Sequence, residues 1–330
     1  MVEVRETRIS VSGVRSLVWH GDVLVDWVAG GRQFTLDGKI QDSRIDCGYL
    51  FDASVTSPSG EFSAIYTRLG TKGLILRRGE VLREINRSYH HADLYEFPVA
   101  LIRLEDGREM IVHCPSAYNQ LEIEDLATGQ SLAGPNGRTP ADCFHSRLSG
   151  SPDGKYLASA GGCGTRWMSC GSTILPMRSP TPVISMVKGL DIDAWADDGI
   201  SAAFLAMGEL AVDLVGLERD EEEPDPWTAE LRLFDPSLPA TPKMIRRPER
   251  LGTMMAIGDH HMLSLYEHPK LIDLRTGDIT RRWLGIDSGV QKSSIVAQDH
   301  PTPPIALDHA GQRCAIANTD GIDVLEFQPG

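Results

Sequence analysis

The amino-acid sequence predicts an all-β fold, and the main observation behind this prediction is a short phrase that occurs three times. The phrase is a polar turn with a glycine, followed by an apolar or β-branched run. Glycine readily adopts the positive φ of a tight hairpin, and the run after it is typical of a returning strand. A hairpin that recurs in this way indicates a radial array of antiparallel sheets. The copies are Ser57-Pro58-Ser59-Gly60-Glu61-Phe62, Ser151-Pro152-Asp153-Gly154-Lys155-Tyr156-Leu157 and Asp308-His309-Ala310-Gly311-Gln312-Arg313.

A second phrase marks another hairpin of the same unit. It consists of an alternating strand, an Asp that opens a turn and a Thr-Gly pair that closes it. Leu121–Gly129 and Leu271–Gly277 match this pattern, and Leu231–Pro236 is a weaker version. Together the two phrases resemble the hairpins of WD-repeat-like β-propeller blades, although the sequence lacks the Trp-Asp dipeptide of that family. The resemblance is to the broad architecture and implies four-stranded antiparallel blades around a central channel.

The strands, taken in order, form seven units, so the sequence predicts a seven-bladed β-propeller that occupies residues 1–330 as one domain. The last unit shows only three strands, and the alternating segment Val2–Val11 precedes the first unit. Because an unpaired sheet edge is a liability, we expect this segment to pair with the last blade and close the ring. The predicted units span residues 15–42, 51–88, 97–134, 144–188, 190–247, 251–284 and 290–329.

Two segments depart from the repeating pattern. Residues 218–227 are dense in acids and contain two prolines, and we interpret them as a loop between the second and third strands of the fifth unit. Residues 162–188 are rich in Gly, Cys, Met, Ser and Pro and have no period of two. One interpretation of this stretch is an irregular loop. The other is a local frame shift in the gene. When the stretch is translated back into permitted codons and read one base over, it can give an alternating strand and a Tyr-Asp-Leu turn.

Charge and composition argue against several classes of function. The net charge of −14 does not favour a general basic surface for nucleic acid. No apolar run approaches the roughly 18 residues of a membrane span, and the acidic start Met1–Glu6 is unlike a signal peptide. The six cysteines form no Cys-x-x-Cys pair, so we expect neither a disulfide framework nor a zinc site. We predict a cytoplasmic protein without a cofactor.

One constellation recurs where the predicted blades join. An Asp is followed closely by an aromatic residue four times, with spacings of 47, 49 and 51 residues that match the blade period. We predict that these pairs form an acidic, ring-lined mouth for a basic side chain or cation. In the alternative, each Asp caps its own loop and each aromatic residue packs between blades. The residues are Asp46, Tyr49, Asp93, Tyr95, Asp142, Phe144, Asp193 and Trp195.

Recognisable catalytic motifs are missing from the sequence. Gly-x-Ser-x-Gly, His-Glu-x-x-His and phosphate-binding glycine loops do not occur. The adjacent pairs His90-His91 and His260-His261 do not predict a metal site, because neighbours on a strand point to opposite faces. Only in a loop could such a pair converge.

The sequence therefore predicts a non-catalytic scaffold that binds a protein partner, and no nucleic acid or membrane, through one face. An acidic chain favours a basic partner, because electrostatic steering raises association rates. Within this class, one role is that of an immunity-type protein that masks a basic toxin, and another is that of an assembly subunit. The alternative is a propeller hydrolase or lyase that acts on a small or sugar-like substrate at the mouth of the central channel.

Overall fold

A computed structural model describes residues 2–42, 49–132, 140, 142–163, 172–176, 190–191, 199–214, 230–236, 243–246, 249–291 and 302–328. Every helix or strand assigned within these ranges is a β-strand. Six of the sheets found there have four antiparallel strands each, which is the blade architecture of a β-propeller. The predicted all-β class and the propeller architecture are therefore confirmed. The same ranges contain no helix of the length and hydropathy that a membrane span requires.

The strands follow the chain as successive meanders. After β1 (Glu3–Ser10), the first sheet contains β2 (Val18–His20), β3 (Val23–Asp26), β4 (Arg32–Thr35) and β5 (Ile40–Gln41). The second sheet contains β6 (Ala53–Thr56), β7 (Phe62–Tyr66), β8 (Lys72–Arg77) and β9 (Glu80–Asn86). The third sheet has three strands within the described ranges, namely β10 (Val99–Arg103), β11 (Glu109–His113) and β12 (Glu122–Asp125).

A short ribbon of β13 (Cys143–Phe144) and β16 (Gly162–Cys163) adjoins the fourth sheet, which contains β14 (Leu148–Gly150), β15 (Tyr156–Ala160), β17 (Ser172–Pro176) and β18 (Leu190–Asp191). The fifth sheet contains β19 (Gly199–Phe204), β20 (Leu210–Leu214), β21 (Glu230–Phe234) and β22 (Lys243–Arg246). The sixth contains β23 (Met254–Ile257), β24 (His261–Ser264), β25 (Lys270–Asp273) and β26 (Ile279–Arg282). The last contains β27 (Ile305–Asp308), β28 (Arg313–Asn318) and β29 (Gly321–Gln328), with β1 at its edge.

The hydrophobic core lies between neighbouring sheets. In the second sheet, all five residues of β7 are buried, because sheets cover both of its faces. The outer strand β9 is mostly exposed and carries charged residues, which discourage edge-to-edge pairing with other chains. One core cluster joins Phe62 and Ile75 of the second sheet to Phe97 and Ile111 at the third. The sequence periodicity reflects this arrangement, with apolar runs inside and alternation outside.

The two ends of the chain pair with each other, as predicted. β1 is antiparallel to β29 over eight residue pairs, from Glu3 opposite Gln328 to Ser10 opposite Gly321. The last sheet also contacts the first, because the indole Nε1 of Trp19 donates to the Ala306 carbonyl at 3.3 Å. A complete ring and the number of seven blades remain predictions, since only six sheets of the described part have four strands.

Two details of the predicted elements are wrong. β18 pairs with β17, so the fourth unit extends beyond residue 188 and the fifth begins at β19. Pairing with a neighbouring strand decided this boundary against the local pattern. In the third copy of the turn phrase, the positive φ falls on Gln312 (50°), whereas Gly60 (76°) and Gly154 (71°) adopt it as predicted. The Gln312 side chain supports this conformation, because its Nε2 donates to the His309 carbonyl at 2.6 Å.

The two unusual segments lie largely outside the described residues. Residues 215–229, which contain the acidic excursion, connect β20 to β21. This is the predicted position between the second and third strands of the fifth sheet. In the stretch 162–188, only β16 and β17 are described. The frame-shift interpretation of that stretch therefore remains a prediction.

The meander gives each sheet two distinct ends. Successive strands are antiparallel. The connection from the second to the third strand therefore lies at the same end of the sheet as the connection that leads to the next sheet. We call this end the junction face, and around the third sheet it carries residues 87–98, 114–121 and 142–147. The opposite end, with the repeated glycine turns, is the hairpin face. There the Ser59 amide of one sheet donates to Oε1 of Glu109 in the next, at 2.7 Å.

Candidate functional site

The structure describes five of the eight predicted site residues. Asp46, Asp193 and Trp195 lie outside the described residues. Tyr49 is 54% exposed, and its ring centroid lies 4.9 Å from that of Phe51. The remaining four residues, Asp93, Tyr95, Asp142 and Phe144, all lie on the junction face beside the third sheet.

Tyr95 and Phe144 come from two successive sheet junctions, and their rings stack. Their centroids are 4.5 Å apart, with an interplanar angle of 5°. The ring of Tyr118 also stacks on Phe144, at 4.5 Å. His90 lies 4.6 Å from Tyr118, and His91 lies 5.4 Å from Phe144. We call these five residues the aromatic cluster.

Three members of the aromatic cluster were not predicted. Tyr118 lies in the connection between β11 and β12, and its sequence neighbourhood carries no repeated pattern. His90 and His91 lie in a loop rather than on a strand, so the reason given against their convergence does not apply. Their ring centroids are 4.5 Å apart. The sequence feature that could have indicated these two members is that His90 and His91 are adjacent and lie between two predicted blades.

A buried arginine positions the loop that carries three of these rings. The guanidinium of Arg87 donates to the carbonyls of Gly70 and Ala92 at 2.7 Å and of Tyr95 at 2.8 Å. It also lies 5.2 Å from the ring centroid of Phe97. Burial lowers the pKa of Arg87 to about 10, so the group remains charged at neutral pH. The loop between β9 and β10 is therefore held by charge-assisted hydrogen bonds to its own backbone.

A close backbone contact positions Phe144. β13 pairs with β16, so that Phe144 lies opposite Gly162. A Cβ atom on the preceding residue, Gly161, would lie only 1.7 Å from the Phe144 carbonyl oxygen. Glycine is therefore required at position 161 for this approach. The ring at the centre of the aromatic cluster depends on a residue without a side chain.

Two buried groups that are neutral at pH 7 form the floor beneath the rings. Nδ1 of His145 lies 3.1 Å from Oγ of Ser159. Burial lowers the pKa of His145 to about 4, although the backbone of Asn119 acts in the opposite direction. Burial also raises the pKa of the Cys114 thiol, which keeps it protonated and unreactive.

The cleft between rings and floor is small. The space for the centre of a water-sized sphere is about 10 Å³, which is room for about one water molecule. Small-molecule sites are typically about 300–1,000 Å³. The cluster therefore presents rings at a surface rather than a preformed substrate pocket. Its lining residues are Arg87, Ser88, His90, His91, Tyr95, Pro98, Cys114, Tyr118, Phe144 and His145.

Asp142 lies at the rim of the aromatic cluster. The phenol of Tyr118 donates a hydrogen bond to Oδ1 of Asp142, and this bond raises the pKa of Tyr118. The carboxylate thus binds a side chain of another loop, which differs from the loop cap of the alternative interpretation. Asp93 is exposed on the same face. Stacking of Tyr95 on Phe144, in contrast, is the packing between units that the alternative describes.

A second cleft lies on the hairpin face, between the second and third sheets. Its volume is about 310 Å³, and Glu61, Arg103, Glu109 and Asp125 contribute to its lining. Glu109 is already engaged by the Ser59 amide and hydroxyl, by Ser57 and by Arg103. These bonds join two sheets, so we interpret Glu109 as a structural bridge. Nowhere in the described ranges do three or more His, Cys, Asp or Glu side chains form a group that could hold a metal ion.

Comparisons with known proteins support the fold. No protein-family model matches the chain, and no curated protein does so either. Among solved structures, a chain of Kuenenia stuttgartiensis hydrazine synthase is similar, with a TM-score of 0.59 and 13% sequence identity over 96% of each chain. At this identity the likeness shows the fold alone. The protein is thus a β-propeller, and the resemblance to WD repeats remains one of broad architecture.

Proposed function

We propose that this β-propeller is a non-catalytic scaffold that binds a basic protein partner through its junction face. The aromatic cluster with Asp142 at its rim is the observation that carries this proposal. Protein-binding hot spots are rich in aromatic residues, which bring large area at little cost in conformational entropy. A net charge of −14 would steer a basic partner toward the chain. An immunity-type role and an assembly role both fit this chemistry.

Two properties of the cleft at the aromatic cluster favour binding over catalysis. Its space of about 10 Å³ is too small for a sugar-like substrate. One of the imidazoles that line it, that of His145, is buried, and burial lowers its pKa to about 4. Protein recognition needs neither an enclosed volume nor a titrating group. At the aromatic cluster, the described residues therefore favour the binding role over the hydrolase or lyase alternative.

The proposal includes a single domain in which seven blades form a closed ring, so that the junction face is continuous. Pairing of β1 with β29 supports this closure. So does Arg313 of the last sheet, whose guanidinium carbon lies 4.0 Å from the ring centroid of Trp19 in the first. A rigid ring would hold the loops of the aromatic cluster in place before a partner arrives, which lowers the entropic cost of binding.

The test compares two substitutions near opposite ends of β9. Tyr89→Ser removes a ring that is 84% exposed on the junction face, and Val81→Ser removes an apolar group that is 56% exposed toward the hairpin face. Proteins captured from a cell lysate by the wild-type chain are measured for binding to both variants. We expect Tyr89→Ser to weaken binding at least about fivefold and Val81→Ser to leave it unchanged. Association should also slow as the salt concentration rises.

Equal effects of the two substitutions, or none from either, would contradict binding through the junction face. Association rates that do not respond to salt would contradict the basic character of the partner. Circular dichroism of each variant checks that the fold is retained.

A further inference from the structure

We infer, building on the proposed function, that the junction face recognises an arginine side chain of its partner, with Asp142 as the acceptor. Asp142 is exposed, and its Oδ1 accepts the hydrogen bond of the Tyr118 phenol. The other oxygen, Oδ2, has no hydrogen-bond partner among the residues that the structure describes. The carboxylate therefore offers an open acceptor at the edge of an aromatic surface.

Tyr118 orients this acceptor in advance. Its ring is packed against Phe144 at 4.5 Å and against His90 at 4.6 Å, which restricts its rotation. The hydrogen bond from the phenol to Oδ1 then favours one orientation of the Asp142 carboxylate. A carboxylate that is held before binding loses less conformational entropy when a ligand arrives.

The combination of carboxylate and ring favours arginine over lysine. A guanidinium is planar, donates from a fixed fork and stacks on aromatic faces, whereas an ammonium is a strongly hydrated point charge. Each carboxylate oxygen has two lone pairs, so Oδ1 can accept a second hydrogen bond beside that of Tyr118. Asp142 can therefore receive a guanidinium while the adjacent rings contact its plane.

The chain itself uses this arrangement between its own sheets. The guanidinium carbon of Arg281 lies 4.9 Å from the ring centroid of Trp283, and the same side chain binds Glu6 at 2.5 Å. At the last sheet, Arg313 lies over Trp19 and binds Asp308 at 2.8 Å. Both arginines combine a ring with a carboxylate. Asp142 and the aromatic cluster present the same two components, without an arginine of the described ranges bound to Asp142.

The experiment measures the binding of dye-labelled hexa-arginine and hexa-lysine peptides, which carry equal charge, by fluorescence anisotropy at constant ionic strength. We expect the wild-type chain to bind hexa-arginine about tenfold more tightly. Asp142→Asn should abolish this preference, and Tyr118→Phe, which keeps the ring but removes the phenol, should reduce it. The matched control is Asp106→Asn, which removes the same charge from the hairpin-face turn between β10 and β11.

Equal affinity of the wild-type chain for both peptides would overturn the inference. So would an effect of Asp142→Asn no larger than that of Asp106→Asn, because binding would then depend on net charge alone. Either result could occur while Tyr89→Ser still weakened capture of the partner. In that case the arginine inference would fail and the proposed function would stand.

Discussion

Acidification should destabilise the fold through His145, and the structure sets the size of the effect. The imidazole is buried beneath the aromatic cluster, and burial lowers its pKa from about 6.5 to about 4. The unfolded chain therefore takes up this proton at a higher pH than the folded chain. Stability from the neutral imidazole is present above pH 6.5 and is lost as the pH falls toward 4. The full difference is about 3 kcal/mol, of which about 2 kcal/mol is lost between pH 7 and pH 4.5.

The assay is urea denaturation at pH 7 and pH 4.5 for the wild-type chain, His145→Asn and His260→Asn. Asparagine places an amide near the position of Nδ1, so it can keep the contact with Ser159 without titrating. We expect His145→Asn to lose about 2 kcal/mol less than the wild type on acidification. The exposed control His260→Asn should lose as much as the wild type. Identical losses for all three chains would refute the argument that His145 is held neutral.

Three further predictions concern the scaffold. Gly161→Ala should lower the free energy of unfolding by about 2–4 kcal/mol, because the new Cβ would meet the Phe144 carbonyl. Gly285→Ala, where a Cβ would meet no atom within 4 Å, is the denaturation control and should change it little. Deletion of residues 2–10 should lower the free energy of unfolding by about 3 kcal/mol or more, because it uncovers β29. A synthetic peptide of that sequence should restore the melting temperature of the shortened chain. An unchanged free energy of unfolding after the deletion would contradict the pairing of β1 with β29. A gene that carries the alternative reading frame over residues 162–188 should encode a chain of higher melting temperature, and a lower one would argue for the sequence as it stands.

Much of the fold could be predicted because its signals are local. The phrase around Gly60 combines a turn residue with a following strand, and the hydrogen bond from the Gly60 amide to the Ser57 carbonyl closes that turn at 2.8 Å. The turn that begins at Asp125 could be predicted for the same reason, because the Asp125 carboxylate accepts a hydrogen bond from the nearby Thr128 amide at 2.8 Å. Pairing of β1 with β29 followed from counting strands in the last unit. Each of these inferences needed only neighbouring residues or the order of elements.

The candidate site was only partly predictable, because it depends on loops that meet in space. Tyr95 and Phe144 were found through their spacing, but Tyr118 belongs to a different connection and follows no repeat. Arg87 gave no signal, since an arginine at the end of an outer strand is usually solvated, whereas this one donates to several backbone carbonyls. The third copy of the turn phrase was also not predictable from neighbouring residues alone. Its positive φ lies at Gln312 instead of Gly311, and the Gln312 side chain donates to the His309 carbonyl in this conformation.

Hydrogen–deuterium exchange of the wild-type chain, alone and saturated with its captured partner, tests the central claim most directly. Binding through the junction face predicts slower exchange in residues 87–98, 114–121 and 142–147, with unchanged exchange in the glycine turns 57–62 and 151–156. Protection confined to those glycine turns, with the junction-face loops unaffected, would contradict the account.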